Sequence, residues 1–186
     1  FRSTAGSVYN GFGTSSPTIE SCIIRNSGGS GGAIHCNGGA LKMYNCLVYN
    51  NNPNTFFEGS TGGLNVYHCT FVNNSNHFYN SGTNNIVPNF KNCIIWRSTN
   101  IVYSGSISVE NSIIKGGFPG TNTNLDVSPS FVDSANNNFQ LKSSSRAIGI
   151  GLNSLGITRD LNDTLRPNPA GSSPDLGAYE IGRAHV

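Results

Sequence analysis

Apolar and polar positions along this chain recur with a period of about 23 residues. One short pattern, a polar residue, a small residue and two largely apolar residues, appears five times. The small residues, called the ladder residues below, are Cys22, Cys46, Cys69, Cys93 and Ser112. Self-similarity of this kind is typical of stacked repeats, in which each repeat packs on its neighbours. The pattern therefore predicts a solenoid with the ladder residues stacked in its interior.

Each repeat also has to bend next to its ladder residue. The residues three positions before and two positions after it are apolar in all five repeats. These positions differ in parity, so one straight strand cannot point both of them inward. The residue just before the ladder residue is short and polar in most repeats and suits a tight corner. We call this set the corner row: Ser21, Asn45, His68, Asn92 and Asn111.

A third strand per repeat is predicted from apolar segments that follow polar loops, at residues 33–36, 55–57, 77–79 and 100–103. Three short strands and three turns describe one coil, so we predict an all-β, right-handed parallel β-helix of about five coils. A β-sandwich, the alternative, has turns roughly every 8–12 residues and no fixed long period. Residues 1–120 would form the coils. The repeat pattern ends after these residues, so 121–186 would be an irregular C-terminal tail that caps the solenoid and packs on it.

The residue just after the ladder residue should point outward, yet it is apolar in four repeats. We call these residues the apolar row: Ile23, Leu47, Ile94 and Ile113, with Thr70 at the same position of the third repeat. A contiguous outward apolar row needs a cover. We expect the tail to cover it, and the alternative cover is a partner or a second copy of the chain.

Charge and cysteine content exclude several classes of function. The formal net charge is +2 and 11% of residues are charged, which gives no electrostatic basis for binding nucleic acid. No apolar run approaches the roughly 18 residues of a membrane span, so we expect no direct membrane insertion. Because four of the five cysteines lie one per repeat, we expect buried free thiols rather than a metal site, with a strained disulfide between stacked neighbours as the alternative. The chain begins with Phe1, and we interpret it as a mature or excised fragment.

An outward polar and aromatic stripe is the first candidate for ligand binding. Two positions before each ladder residue stand Glu20, Tyr44, Tyr67, Lys91 and Glu110. Lys91 beside Tyr67 and Tyr44 could contact a sugar ring. The alternative without a ligand is a solvated face with aromatic pairing across strands. Glu20 and Glu110 are separated by three coils, too far to share a metal ion. No catalytic residue is predicted.

The tail concentrates acidic residues. Asp160 and Asp163 are weak candidates for Ca²⁺ because they lack the spacing of a calcium-binding loop. The alternative is a structural network in which Arg159 or Arg166 pairs with Asp175 or Glu180 and locks the tail. The sequence predicts no other cofactor.

Several tail motifs carry a family resemblance. Asn111–Ile114 is followed by Ser128–Asp133, Ser145–Gly149, Asp160–Arg166 and the closing motif Asp175-Leu176-Gly177-Ala178-Tyr179-Glu180. Together they resemble bacterial right-handed parallel β-helix surface proteins, including those with choice-of-anchor Q domains, although Ser128 and Gly149 stand where that family carries Asp. The resemblance implies a secreted or cell-surface location in a Bacteroidetes-like bacterium. Asp133-Ser134-Ala135 and Asp163-Thr164-Leu165 resemble the sites at which such bacteria O-glycosylate exported proteins, which marks Ser134 and Thr164.

These observations favour a non-catalytic secreted or cell-surface module, a stalk or adhesin segment that binds glycans. One alternative is a fragment of a polysaccharide lyase or glycoside hydrolase. A second is a subunit that stacks through its coil ends into filaments. The expected partners are extracellular polysaccharide or further copies of the chain.

Overall fold

The computed structural model describes residues 8–10, 16–28, 32–36, 39–52, 54–58, 63–80, 87–97, 108–118 and 123–182. In this part of the chain the secondary structure consists of short β-strands and two single-turn 3-10 helices, η1 (Ser134–Asn136) and η2 (Asn153–Leu155). Fourteen of the described strands lie in three parallel sheets. The predicted all-β fold built on parallel strands is therefore confirmed.

Each parallel sheet gathers strands from successive repeats. Sheet I contains β1 (Val8–Asn10), β4 (Ile34–Cys36), β7 (Asn54–Glu58) and β10 (Asn76–Asn80). Sheet II contains β2 (Thr18–Glu20), β5 (Leu41–Tyr44), β8 (Leu64–Tyr67), β11 (Asn89–Lys91) and β13 (Ser108–Glu110). Sheet III contains β3 (Ile23–Arg25), β6 (Leu47–Tyr49), β9 (Thr70–Val72), β12 (Ile94–Trp96) and β14 (Ile113–Ile114). Three of the predicted third strands coincide with β4, β7 and β10, and residues 100–103 lie outside the described residues.

The register places equivalent apolar residues of successive repeats side by side. In sheet II Met43 pairs with Val66 and Val66 with Phe90, and in sheet III Val48 pairs with Phe71. All five are fully buried in one apolar core, to which Ile34 of sheet I also belongs. Burial of one such side chain stabilises the fold by about 1.5–3 kcal/mol, so this shared core holds the repeats together.

The corner row adopts the backbone conformation that a tight turn requires. Its φ angles are 50° at Ser21, 51° at Asn45, 52° at His68, 55° at Asn92 and 45° at Asn111. A positive φ is disfavoured for most side chains and best tolerated by Gly, Asn and Asp. A second corner follows sheet III, with φ angles of 56° at Asn26, 54° at Asn50, 54° at Asn73 and 54° at Arg97. Asn therefore recurs because each repeat turns sharply at these two places.

The ladder residues donate hydrogen bonds across the first corner. The thiol of Cys69 donates to Tyr67 O at 3.4 Å, that of Cys93 to Lys91 O at 3.3 Å, and the hydroxyl of Ser112 to Glu110 O at 2.8 Å. Each accepting carbonyl lies two residues back, at the end of a sheet II strand. Cys and Ser can share the position because both are small and can donate this bond.

The five cysteines have free thiols, and burial raises the pKa of Cys93 to about 12. Cys46, Cys69 and Cys93 are completely buried, and so is Ser112. The prediction that Cys22 is an interior residue is wrong, because Cys22 is exposed. It connects β2 to β3, which are edge strands of their sheets, so a stacked neighbour covers it on one side only.

Away from its edge strand β3, sheet III is largely buried on both faces, which explains its continuous apolar strands. The outward side chains of Leu47, Thr70, Ile94 and Ile113 are at most 2% exposed. Ile94 and Ile113 pack against Leu141, Ala147, Ile148 and Leu176 of the tail. Leu47 packs in a third apolar cluster with Phe139 and Ala178.

Ile23 does not follow the rest of the apolar row. Its side chain is 56% exposed, whereas Leu47 on the next strand is buried. The prediction that the row as a whole lies under a cover is therefore wrong at this position. The reason is the same as for Cys22, since β3 is an edge strand of sheet III.

The tail first extends the stack and then turns back over sheet III. Leu125 forms a parallel bridge with Ile113 of the edge strand β14. An antiparallel hairpin follows, formed by β15 (Phe131–Asp133) and β16 (Asn138–Leu141). Its Phe139 contacts the ring of Tyr49 with centroids 5.1 Å apart. The hairpin thereby supplies part of the cover of sheet III.

Candidate functional site

The outer face of sheet II carries the predicted aromatic stripe. Tyr44 pairs with Tyr67 and Tyr67 with Lys91 in the strand register, and all three side chains are half-buried. The two tyrosine rings stack with centroids 5.6 Å apart and an interplanar angle of 18°. Burial raises the pKa of Tyr44, and the neighbouring Tyr67 and Glu20 raise it further, so the phenol stays neutral. We call Tyr44, Tyr67 and Lys91 the tyrosine stripe.

Polar groups surround the tyrosine stripe. The hydroxyl of Tyr67 donates to Asn65 Oδ1 at 3.1 Å and accepts from Asn89 Nδ2 at 3.4 Å. The ammonium group of Lys91 lies 3.0 Å from a carboxylate oxygen of Glu110. Half-exposed aromatic rings next to amide, hydroxyl and charged groups provide both apolar contact and hydrogen bonds. This combination suits a ligand with many hydroxyl groups.

The sequence reasoning missed Asn65 and Asn89. They lie four residues before their ladder residues, at the same parity as the tyrosine stripe, and the register pairs them with each other. Parity was therefore the signal that could have found them. It would also have placed Thr18, Lys42 and Ser108 on this outer face.

The candidate metal ligands have other partners. Asp160 is buried, and its carboxylate accepts from the backbone N–H groups of Asn162, Thr164 and Glu180. The carboxylate of Asp163 is exposed and lies 3.3 Å from Arg159. Across the described residues, no three His, Cys, Asp or Glu side chains come together as a metal-binding group. Glu20 and Glu110 belong to the two opposite edge strands of sheet II.

The corner row is where the tail docks. The amide nitrogen of Asn45 donates to Arg159 O at 2.6 Å. Asn92 makes two bonds with the backbone of Leu152, donating to its carbonyl at 3.0 Å and accepting from its N–H at 2.8 Å. Asn111 donates to Ile150 O at 3.5 Å. These contacts are to the tail backbone, so the corner amides hold the tail largely independently of its side chains.

Buried carboxylates organise the tail itself. Asp175 accepts from the backbone N–H groups of Gly149, Ile181 and Gly182. Glu180 accepts from those of Asn168 and Asp175 at 2.9 Å each. Both carboxylates are almost completely buried, where each backbone bond offsets the cost of removing the charge from water. The closing motif therefore fastens three separate tail segments to one another.

Arg166 is the buried cation of this network. Its guanidinium donates to Asp175 O at 2.7 Å and to Gly177 O at 3.1 Å, and lies 3.6 Å from Glu180. The side chain is 0% exposed. Burial lowers the pKa of Arg166, and the carboxylates of Glu180, Asp160 and Asp175 act in the opposite direction. Arg166 also contacts Nδ1 of His68, which connects the network to the corner row.

His68 lies between two hydrogen-bond donors. Arg166 faces Nδ1, and the amide nitrogen of Asn92 lies 2.9 Å from Nε2. A neutral ring accepts at one nitrogen and carries N–H at the other, whereas a protonated ring carries N–H at both positions and would oppose a donor at each. Burial, followed by the charge of Arg166, holds the pKa of His68 well below its usual range. The ring is therefore neutral in the folded chain.

This environment predicts a pH-dependent stability. Above about pH 6.5 the stabilising contribution of neutral His68 is fully present. Below that pH the unfolded chain binds a proton at His68 and the folded chain does not, so the folded state loses stability as the pH falls. We expect the free energy of unfolding to fall by up to about 1.4 kcal/mol per pH unit below pH 6.5. Urea unfolding of the wild type and of His68→Asn, which carries the residue of the neighbouring corners, measures this slope. Parallel pH profiles for the two chains would contradict the assignment.

The two predicted O-glycosylation sites lie in the tail. Ser134 begins η1, is half-buried, and accepts a hydrogen bond from Arg97 at 3.3 Å. Thr164 is half-buried and its backbone N–H donates to Asp160. Modification at either residue stays a prediction.

The chain matches no protein-family model, no curated protein and no solved structure. The resemblance to choice-of-anchor Q proteins therefore stays a prediction from the tail motifs. Among the described residues, no helix is long and apolar enough to cross a membrane.

Proposed function

We propose that the chain is a non-catalytic, secreted or cell-surface module that binds glycans through the tyrosine stripe. The observation that carries this proposal is the stacked pair Tyr44 and Tyr67 on the outer face of sheet II. The amides of Asn65 and Asn89 and the Lys91–Glu110 pair surround it. Sugars present apolar C–H faces and many hydroxyl groups, and this combination of groups matches both.

The proposed scaffold is a right-handed parallel β-helix, with coils in residues 1–120 and a capping tail in 121–186. Three parallel sheets in which each strand pairs with its counterpart in the next repeat support it. The resemblance of the closing motif supports a bacterial secreted or cell-surface location. A repeated, rigid scaffold holds its outer side chains at the fixed strand spacing of about 4.8 Å, which suits an extended polymer.

Replacement of both stripe tyrosines tests the proposal. We expect Tyr44→Ala/Tyr67→Ala to weaken binding to an immobilised polysaccharide or glycan array at least about tenfold, because it removes the aromatic contact surface. Loss of the aromatic pair should cost only about 1 kcal/mol of stability, which thermal unfolding verifies. Val132→Ala, which truncates an exposed residue of the tail hairpin, is the matched control. Absence of glycan binding by the wild type, or equal binding by the double variant, would refute the proposal.

Polysaccharide cleavage is the second candidate function. The observation in its favour is that the Lys91 ammonium group lies 3.0 Å from Glu110 and that Lys91 pairs with Tyr67 in the strand register. Ammonium, carboxylate and phenol groups can each transfer a proton during catalysis. Incubation with pectin and alginate tests it by the ultraviolet absorbance of unsaturated products. Release of unsaturated products by the wild type, abolished in Lys91→Gln, would support polysaccharide cleavage and contradict the non-catalytic proposal.

A further inference from the structure

A polar cleft lies where the end of β12 meets the β15–β16 hairpin, away from the tyrosine stripe. Its volume is about 350 Å³. Trp96 and Phe131 supply its apolar walls, Arg97 and Lys142 its charges, and Ser128 and Ser134 are among its serine hydroxyls. The cleft is therefore lined by hydrogen-bond donors, two cations and aromatic surface.

Among the described residues, three cations lie close to Trp96. The ammonium group of Lys115 lies 5.2 Å from the centroid of the Trp96 ring, in addition to the two cations of the cleft wall. Arg97 donates to Ser134 through Nη1 at 3.3 Å. Asp133 belongs to the same hairpin but does not line the cleft, and its carboxylate accepts from the backbone and side-chain amides of Asn136. The groups that face the cleft thus favour an anion.

Arg97 occupies a position at which the other repeats use Asn. Asn26, Asn50 and Asn73 hold this second corner with φ angles of 54° to 56°, and Arg97 holds it with φ 54°. Arg tolerates this conformation less well than Asn. Residues held in disfavoured conformations concentrate at binding sites, where the strain places a side chain that the site needs.

We propose that this cleft binds the anionic group, carboxylate or sulfate, of an acidic sugar, with the sugar ring against Trp96. A guanidinium group pairs with a carboxylate or sulfate through two parallel N–H bonds. Lys142 adds a second positive charge, and the serine hydroxyls can bond to the sugar hydroxyls. This site is separate from the tyrosine stripe and does not depend on it.

Trp96 is the one tryptophan of the chain, so its fluorescence reports directly on the cleft. The full chain is titrated with galacturonic acid, with N-acetylglucosamine 6-sulfate, with neutral galactose and with sodium sulfate. We expect a saturable change with at least one acidic sugar, weakened by sodium chloride, and none with galactose. The two acidic sugars distinguish a carboxylate from a sulfate ligand. No saturable change with either acidic sugar overturns the proposal, and so does equal affinity for sodium sulfate, which would indicate an anion site without sugar recognition.

Four variants test whether the ligand binds in the cleft. Arg97→Asn restores the residue of the other corners and should weaken binding at least about tenfold. Ser128→Asp retains an acceptor for the N–H of Ser130 while adding a carboxylate to the wall, and should weaken binding to a similar degree. Lys42→Gln, which removes an exposed cation of sheet II, should bind as the wild type does. Unchanged affinity in Arg97→Asn would overturn the proposal, whereas loss of binding in Tyr67→Ala would place the ligand on the tyrosine stripe instead.

Discussion

Gly177→Ala should lower the free energy of unfolding by about 3 kcal/mol. A Cβ atom at this position would lie 2.5 Å from Thr70 Oγ1 and 2.8 Å from Ile94 Cδ1, and Gly177 has a φ angle of +85°. The variant would therefore combine backbone strain with a clash against the apolar row. The backbone N–H of Gly177 donates to Asn92 O at 2.8 Å, so a shift of the tail would also break that bond. Urea unfolding measures the loss, and binding of an apolar dye should increase as the tail moves away from sheet III.

Gly171→Ala is the matched control for this prediction. Gly171 has almost the same φ angle, +84°, but nothing lies within 4 Å of a Cβ placed there. We expect a loss of about 1 kcal/mol from backbone strain alone. The difference between the two variants measures the close approach of the tail to sheet III. Equal losses of unfolding free energy in the two variants would show that the close approach of the tail to sheet III does not constrain residue 177.

Arg166→Met should lower the free energy of unfolding by about 3–5 kcal/mol, because it leaves Glu180 buried without its cation. It also removes the donors to the carbonyls of Asp175 and Gly177. Arg159→Met is the matched control, since Arg159 is half-exposed and pairs with an exposed Asp163. We expect that variant to lose less than about 1 kcal/mol. Chemical denaturation of both variants at neutral pH measures the contrast.

The loss in Arg166→Met should depend on pH. Burial raises the pKa of Glu180, and Arg166 partly offsets this increase, so the variant should raise that pKa further. A carboxyl group with a raised pKa holds its proton more tightly in the folded chain, so stability falls as the pH rises from the unfolded pKa to the folded one. The deficit should therefore be larger at about pH 7 than at about pH 4. A deficit that does not change with pH would show that Glu180 is not the group concerned.

The repeat pattern predicted the features that depend on contacts between neighbouring repeats. Spacing alone indicated the corners, and their positive φ angles explain why Ser, Asn and His occupy them. The stacking of Tyr44 on Tyr67 follows from parity and period in the same way. Such contacts recur from one repeat to the next, so five copies of one pattern allow them to be predicted from the sequence.

The docking of the tail could not be predicted residue by residue. Asn45 meets Arg159 and His68 meets Arg166, residues 114 and 98 positions apart. These contacts occur once and follow no period, and several of them use backbone atoms that every residue has. Cys22 and Ile23 departed from the pattern for a related reason, because the sequence repeats do not show which strand lies at the edge of its sheet.

The position of the closing motif has a consequence for the order in which the chain is made. Leu176 and Ala178 cover the apolar row, yet they are synthesised after every strand of sheet III. A growing chain therefore carries a partly uncovered apolar strip until Leu176 and Ala178 have been added. A chain cut short before Asp175 would lack two of the residues that cover this strip, which would leave part of it accessible to proteases and chaperones. Burial of the apolar row therefore depends on the closing motif as well as on the hairpin that precedes it.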